Sequence, residues 1–438
     1  MSSDTSRPPL LRALGRWSLL ALMINSILGS GIFGLPAALA ELIGAASPWA
    51  VIIAGVLMAS IIGCHAEVAS QFDATGGTYL YVRQVFGRFA GVQTGWLILL
   101  GRLTGCAAGA NLLVAYLAEF WPQATQPLPR LAVISVLLGA LALVNYRGVA
   151  SGALVSNVSA VAKLLPLAAI CTVGVAYLLT HPVAATIPAR ATTDRYLTAI
   201  LLLVFAYGGF ESALSAMGEV RDPRRDVAFA LFAALATVAV LYTALQFTVV
   251  GVLIHPERSE RPLADVARAL LGGPGAVLVS LGALLSVYGY LSANLLTAPR
   301  GAFALAERGD FPRWLAAVHP QFRTPHVAIA VFALLLWAFA LFGSFSWNVT
   351  LSAVSRLFYY GAVCAAVPVL RRRQPHVAAY RLPAGGLFAA LGVLTCAVLV
   401  SRVDYSKSLI LGVTIAAATV NWLLTRNPAR QGAVTSRT

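Results

Sequence analysis

The chain has 438 residues, of which 59% are hydrophobic and only 11% are charged, and its mean hydropathy is +0.81. Such a composition would expose far more apolar surface than a soluble fold tolerates, so it excludes an ordinary soluble protein and predicts an integral membrane protein that contacts the lipid bilayer. The net charge of +15 does not indicate nucleic acid as a partner, because most of the 31 basic residues lie between apolar segments.

Apolar segments follow one another along nearly the whole chain, each long enough for a bilayer-spanning helix of about 20 residues. They lie near 15–43, 46–69, 90–118, 129–145, 151–180, 196–218, 227–254, 275–298, 325–344, 348–370, 384–402 and 406–424. These twelve segments predict an all-α fold of twelve transmembrane helices with tails at 1–14 and 425–438. The longest connections, 72–89 and 299–324, could hold surface helices.

Basic residues are unevenly divided between the two sets of connections. Both tails and the loops on their side carry most of the basic residues, which the positive-inside rule assigns to the cytoplasm. We therefore expect a multi-pass protein with both termini cytoplasmic.

Glycines interrupt the first and the sixth segments near their middles, with NSILGSGIF at 25–33 and FAYGGFE at 205–211. A break in a membrane helix frees backbone groups that a cavity or a ligand must satisfy. Five spans separate the breaks, as expected for two inverted repeats, about 15–180 and 196–370, with a site at their interface. Helices within 384–424 would be peripheral. Glycine pairs also serve as packing surfaces, but matched breaks in two halves favour a binding site.

The breaks predict a binding mode. The half-helix that starts at Ile32 would direct free amides and a positive dipole end at a carboxylate, with Gly31 and Ile32 as donors and the Ser30 hydroxyl beside them. Carbonyls near Ile27 and Phe205 would be unpaired and would suit an ammonium group. One ligand that carries both groups on one carbon is an α-amino acid.

Several stretches at these breaks and in the loops carry a resemblance to a known family. They are GSGIF at 29–33, GGTYLYVR at 76–83, FAYGGFE at 205–211, GEVRDPRRD at 218–226 and PRGAFALAERGDFP at 299–312. In these stretches the chain resembles the amino acid, polyamine and organocation transporter superfamily, whose LeuT-type fold has ten core helices. The resemblance implies a bacterial inner-membrane permease that moves amino acids by alternating access, with Phe205 as a gate.

The candidate substrate-binding residues lie at the two breaks, with one further candidate on the third span. They are Ser26, Ile27, Gly29, Ser30, Gly31, Ile32, Phe205, Ala206, Tyr207, Gly208, Gly209 and Asn111. An asparagine within a membrane also commonly bonds one helix to another, so Asn111 has both interpretations.

Charges inside the spans are the candidates for coupling or gating. Glu211 follows the sixth-span break and could either couple protons or anchor the half-helix. Arg102 and Arg356 need partners on other helices, and Glu211 or Glu67 could supply them. Lys163 is one of two lysines and stands in the fifth span. Resemblance to sodium-independent family members suggests that its ammonium replaces a sodium ion near residues 24–27, as a titrating switch or as a permanent tie.

Neutral amino acids are the expected substrates, because Glu211 is the only carboxylate near the predicted site. A cationic amino acid or polyamine antiporter or exporter is the alternative within transport, and a membrane amino acid sensor is the alternative outside it. HExxH, GxSxG and His/Cys ligand clusters are missing from the sequence, so we expect neither an enzyme nor a metal or cofactor. A proton is the candidate coupling ion, symport and exchange both stay open, and the protein is expected to be a monomer or homodimer.

Overall fold

The computed structural model describes residues 15–72, 76–148, 152–181, 192–215, 220–373 and 380–425, with the backbone alone for 152–163 and 223–224. Fifteen α-helices follow the predicted segments in order. They are α1 (Arg16–Ile27), α2 (Gly31–Ile43), α3 (Ser47–Ala69), α4 (Gly77–Phe86), α5 (Arg88–Leu117), α6 (Pro127–Arg147), α7 (Gly152–Leu178), α8 (Thr193–Tyr207), α9 (Phe210–Leu214), α10 (Pro223–Val252), α11 (Pro262–Glu307), α12 (His326–Phe342), α13 (Phe345–Arg373), α14 (Gly385–Val400) and α15 (Tyr405–Thr425).

The length and apolar composition of the helices confirm the predicted class of fold, an all-α integral membrane protein. Eight described helical stretches are long and apolar enough to cross a membrane, and three shorter apolar helices accompany them. Helices α3, α6, α10 and α11 each have a proline in the first turn, where a missing N–H costs no helical hydrogen bond. The side chains of Thr192 and Asp222 cap α8 and α10 by accepting hydrogen bonds from the amides of Arg195 and Arg225.

Both predicted interruptions are confirmed. The helix of the first segment ends at Ile27 and resumes at Gly31, and that of the sixth ends at Tyr207 and resumes at Phe210. Each break leaves backbone groups without a helical partner at the centre of its segment.

The two long connections differ from the expected surface helices. α4 forms within the first of them, but most of its side chains are buried because it packs against α5 and α13. In the second connection, 299–324, α11 continues to Glu307 and is followed by a short 3-10 helix at Arg313–Ala316. Gly272, with φ +73°, is non-helical and divides α11 into a short first part from Pro262 and a longer part that starts close to the predicted 275.

Helix α5 passes through the centre of the fold and packs against α4, α11, α12, α13 and α15. Helix α3 packs against α8, α10, α13 and α14. From the sequence, Glu67 on α3 is a possible partner of Arg102 or Arg356, but in the structure it pairs with neither of them. Its carboxylate instead accepts two hydrogen bonds from Arg371, both 2.7 Å, and one from the amide of Leu382, so it ties α3 to α13 and to the start of α14.

Candidate functional site

The two helix breaks lie directly against each other. Gly209 has φ +111°, and a Cβ atom there would overlap the carbonyl oxygen of Ser26. A Cβ atom at Gly31 would come within 3.2 Å of the Cα atom of Ala206. Glycine is therefore required at Gly209 for both backbone conformation and space, while Gly31 lets α2 approach α8.

A cavity of about 360 Å³, here called the central cavity, lies beside the breaks. Most sequence-predicted site residues line it: Ser26, Ile27, Gly29, Ser30, Gly31, Phe205, Gly208, Gly209, Glu211, Arg102 and Arg356. Ile32 and Ala206 are buried beside it but are not part of its wall. The hydroxyl of Tyr207 donates to the carbonyl of Val51 on α3, so this side chain is directed away.

Asn111 lies outside the central cavity. Its side-chain amide donates to the carbonyl of Gly343 at 2.8 Å, and its oxygen accepts a hydrogen bond from Arg130 at 2.9 Å. These contacts join α5 to α6 and to the α12–α13 connection, which is the helix-to-helix interpretation left open by the sequence.

The start of α2 brings backbone and hydroxyl donors to the wall of the central cavity. The amides of Gly31 and Ile32 belong to its first turn, where N–H groups have no acceptor within the helix. The Ser30 hydroxyl is buried and has no hydrogen-bond partner among the described residues. Donors and a positive dipole end at one point suit a carboxylate.

Carbonyls at the ends of α1 and α8 are less free than expected. The Ile27 carbonyl accepts from the amide of Gly29 at 2.7 Å, and the Phe205 carbonyl accepts from that of Gly208 at 3.3 Å. The Tyr242 hydroxyl on α10 also reaches the carbonyls of Ile27 and Ala206. The expectation of unpaired carbonyls is therefore wrong, because the unwound turns close on themselves. The carbonyl oxygen of Phe205 still has a second lone pair that can accept a hydrogen bond from an ammonium group.

Glu211 and Arg356 form a buried ion pair with a distance of 2.8 Å, which confirms that Glu211 could supply the partner of a mid-span arginine. The carboxylate also accepts hydrogen bonds from the hydroxyls of Tyr359 and Tyr360 and from the amide of Gly209. The guanidinium of Arg356 lies 5.6 Å from the centre of the Phe205 ring. The cluster thus joins α9, α13 and the end of α8.

Arg102 and Lys163 are the two remaining charged residues that the sequence predicted at the site. Arg102 faces the central cavity and donates to the hydroxyl of Thr297 at 3.3 Å. The side chain of Lys163 lies outside the described part of the structure, whereas the backbone of α7 that carries it packs against α10 and α11.

A polar face of α11 was missed by sequence reasoning. Ser286, Tyr290, Asn294 and Thr297 all line the central cavity, and their spacing places them on one side of a helix. The signal was available, because polar residues recur at intervals of three or four within an otherwise apolar segment.

Two further cavities lie on either side of the central one. The α4 cavity, about 360 Å³, is lined by Tyr79 on α4 and shares residues such as Ile98 and Ser212 with the central cavity. The α6 cavity, about 590 Å³, is lined by Arg130 on α6 and shares no lining residue with the central cavity. Their contacts on α5, at 95–102 and 111–115, lie roughly 20 Å apart along the helix.

Between the central and α6 cavities the helices are tightly packed. A Cβ atom at Gly34, one turn beyond Gly31, would overlap the Phe345 ring and come within 2.9 Å of the Leu112 side chain. The central cavity thus adjoins the α4 cavity through shared lining residues, whereas these side chains separate it from the α6 cavity.

Comparisons with known proteins bear on the class to which this protein belongs. The sequence profile of the amino acid permease family matches residues 14–421. An uncharacterised transporter of Mycobacterium tuberculosis is 29% identical over 429 residues, which is 96% of this chain and 94% of that protein. The serine/threonine exchanger of Bacillus subtilis is 29% identical over 384 residues, which is 85% of this chain and 87% of that protein.

The chain therefore belongs to the amino acid permease family, within the superfamily that its motifs resemble. Its relatives are transporters rather than enzymes, as expected from the sequence. It is a multi-pass membrane protein of a family that transports amino acids.

Proposed function

We propose that this protein is a secondary transporter that carries α-amino acids across a bacterial inner membrane by alternating access. The observation that carries the proposal is the start of α2 at a cavity between two broken helices. There the first-turn amides meet the Ser30 hydroxyl, which has no hydrogen-bond partner in the described part of the chain. The substrate carboxylate binds at Ser30 and Gly31, its ammonium lies near the Phe205 carbonyl, and Phe205 closes over it.

The architecture proposed for this mechanism has twelve spans. Two inverted repeats at 15–180 and 196–370 form the transport core, and α14 and α15 are peripheral. Support comes from the two interrupted helices, which begin corresponding halves of the chain and contact each other through their breaks. A monomer is sufficient for this core, and a homodimer is compatible with it.

Both termini are proposed to face the cytoplasm. The basic tails support this orientation, and it places α4 and the α11–α12 connection on the cytoplasmic side. The central cavity shares lining residues with the α4 cavity and none with the α6 cavity, which then supports an inward-facing state.

The substrate side chain is proposed to carry no positive charge. Arg102 and Arg356 line the central cavity, and Glu211 is its only carboxylate among the described residues. A second cationic head would meet repulsion there, which argues against cationic amino acids and polyamines. The serine/threonine exchanger among the relatives supports neutral substrates and exchange.

Coupling is proposed to be exchange or proton symport, with Lys163 as the titrating candidate. If Lys163 is a switch, substrate affinity falls across a pH range well below the free-lysine pKa of about 10.4. If affinity is flat from about pH 5 to 9 and transport moves no protons, Lys163 is a permanent tie and exchange is the mode.

The test is counterflow with purified protein in proteoliposomes. Vesicles preloaded with one unlabelled amino acid at a time should accumulate the same labelled amino acid for at least one of the twenty common ones. Binding of an amino acid without any flux would instead indicate a sensor, and preference for a polyamine would indicate the cationic alternative. Protein-free vesicles provide the control for leakage.

A further inference from the structure

Arg102 occupies the point where the central and α4 cavities meet. Its one described hydrogen bond runs to the neutral hydroxyl of Thr297 at 3.3 Å. Among the described residues no carboxylate lies within salt-bridge distance of it, and Glu211 is engaged by Arg356. A guanidinium inside a membrane protein is costly without an anionic partner.

The charges along this path are unbalanced. Arg102 and Arg356 line the central cavity and Arg102 and Arg308 line the α4 cavity, whereas Glu211 is the only carboxylate that the described residues contribute to either lining. Low-dielectric walls concentrate such a field, so the path attracts anions and repels cations.

Across the central cavity from the helix breaks, the polar face of α11 adds groups that an aliphatic side chain would not use. The Ser286 hydroxyl is buried and has no hydrogen-bond partner among the described residues. Asn294 and Thr297 continue this face toward Arg102. A buried donor without a partner favours a ligand with a further polar group.

We infer that Arg102 binds a carboxylate in the substrate side chain, so that the preferred substrate is an acidic L-amino acid. This inference rests on the proposed function: the α-carboxylate occupies the start of α2, and the side-chain carboxylate extends between α5 and α11 to the guanidinium. Arginine suits this role because its planar fork can donate two parallel hydrogen bonds to one carboxylate. This inference replaces the neutral substrates expected from the sequence with acidic ones, whose side chains likewise carry no positive charge.

The experiment compares acids with their isosteric amides. Binding of L-aspartate, L-asparagine, L-glutamate, L-glutamine and L-serine to the full-length protein in nanodiscs is measured by calorimetry at pH 7. At least one acid should bind about tenfold or more tightly than its amide, because only the acid pairs with the Arg102 guanidinium in the cavity. This comparison needs no variant.

Two substitutions then assign the effect. Arg102→Gln should remove the preference for the acid while the affinity for the amide stays within about threefold, and Arg102→Lys should retain part of it. Arg147→Gln makes the same chemical change at an exposed position on α6 outside all three cavities, and should leave every affinity unchanged.

Equal affinity for acid and amide in the unchanged protein would overturn the inference and leave amino acid transport standing. An Arg102→Gln variant that keeps the preference for the acid would also overturn it. If none of the five amino acids binds and none of the twenty gives counterflow, the proposed function fails together with this inference.

Discussion

Glu211 illustrates how one carboxylate can be held from several elements. Arg356, Tyr359, Tyr360 and the amide of Gly209 all donate to it, so both oxygens are occupied. His65 packs edge-on against the Tyr360 ring in the same region. An anion with four donors loses too much on protonation to serve readily as a proton carrier, which favours an anchoring role for Glu211.

The first prediction follows from this anchoring role. Glu211→Gln should lower the transport rate without changing the shape of its dependence on pH between about 5 and 9, because an anchoring Glu211 carries no proton during transport. Initial rates in proteoliposomes over that range would measure it. A profile that flattens or moves in the variant would assign proton coupling to Glu211.

A second prediction concerns the stability of the ion pair. Removing either partner alone should cost about 3–5 kcal/mol of unfolding free energy, since it leaves the other charge buried and unpaired. The double variant Glu211→Gln, Arg356→Gln should lose less than the sum of the single variants. Thermal denaturation of the three purified variants tests this, and additive losses would show that the two residues are not coupled.

The third prediction compares two glycines at the breaks, one of which should affect substrate binding and the other folding. Gly29→Ala places a methyl group about 3.8 Å from the Tyr290 ring, an ordinary contact, so the protein should fold and bind its substrate about tenfold or more weakly. Gly209→Ala should instead impair folding, because its φ of +111° and the Ser26 carbonyl exclude a side chain. Size-exclusion profiles and calorimetry distinguish the two, and unchanged affinity in Gly29→Ala would count against the proposed site.

At the scale of elements, α4 is fixed to the end of α11 by Asp310. The buried carboxylate pairs with Arg83 at 3.1 Å and with Arg88 at 2.7 Å, and it accepts a hydrogen bond from Tyr79. Asn421 on α15 donates to the carbonyl of the same residue. Four helices thus meet at one side of the α4 cavity, which keeps that side rigid.

The fourth prediction tests this junction. Asp310→Asn should lower the unfolding free energy by about 3–5 kcal/mol, because two arginines lose a buried counter-charge. Glu257→Gln is the control, since its carboxylate is exposed and, among the described residues, forms ion pairs with His255 and Arg258 alone. Equal thermal stability of the two variants would indicate that water replaces the Asp310 carboxylate.

For the whole molecule, the decisive feature is that the central cavity shares lining residues with the α4 cavity and none with the α6 cavity. Ser212 lines both the central and the α4 cavities, whereas Glu41 lines the α6 cavity. Four of the five cysteines are buried and Cys171 is partly exposed, so a Cys171→Ala background gives little labelling of its own.

The fifth prediction uses this background with a membrane-impermeant maleimide. Ser212→Cys should react faster in inside-out vesicles, and Glu41→Cys should react faster in right-side-out vesicles, since their cavities open to opposite sides. Faster labelling of Ser212→Cys from the outside would reverse the proposed orientation or state. Excess substrate should slow the reaction at Ser212→Cys and leave that at Glu41→Cys unchanged.

The sequence by itself determined the helices and the two breaks. Apolar stretches of bilayer length can only satisfy their backbone as helices, and glycines in the middle of such stretches interrupt them, so both features are local. Helix bounds deviate most in α11, where the hydropathy signal ends but hydrogen bonding along the helix continues.

Only the tertiary structure decided which side chains meet. Glu211 and Arg356 are 145 positions apart, and Glu67 and Arg371 are 304 apart, so neither pair could be chosen from spacing along one helix. Asn111 turned toward Gly343 instead of the cavity, and Arg102 remained without a carboxylate in the described chain, for the same reason. A local pattern specifies where a helix forms, whereas the rotation and neighbours of that helix depend on packing with segments far away in the chain.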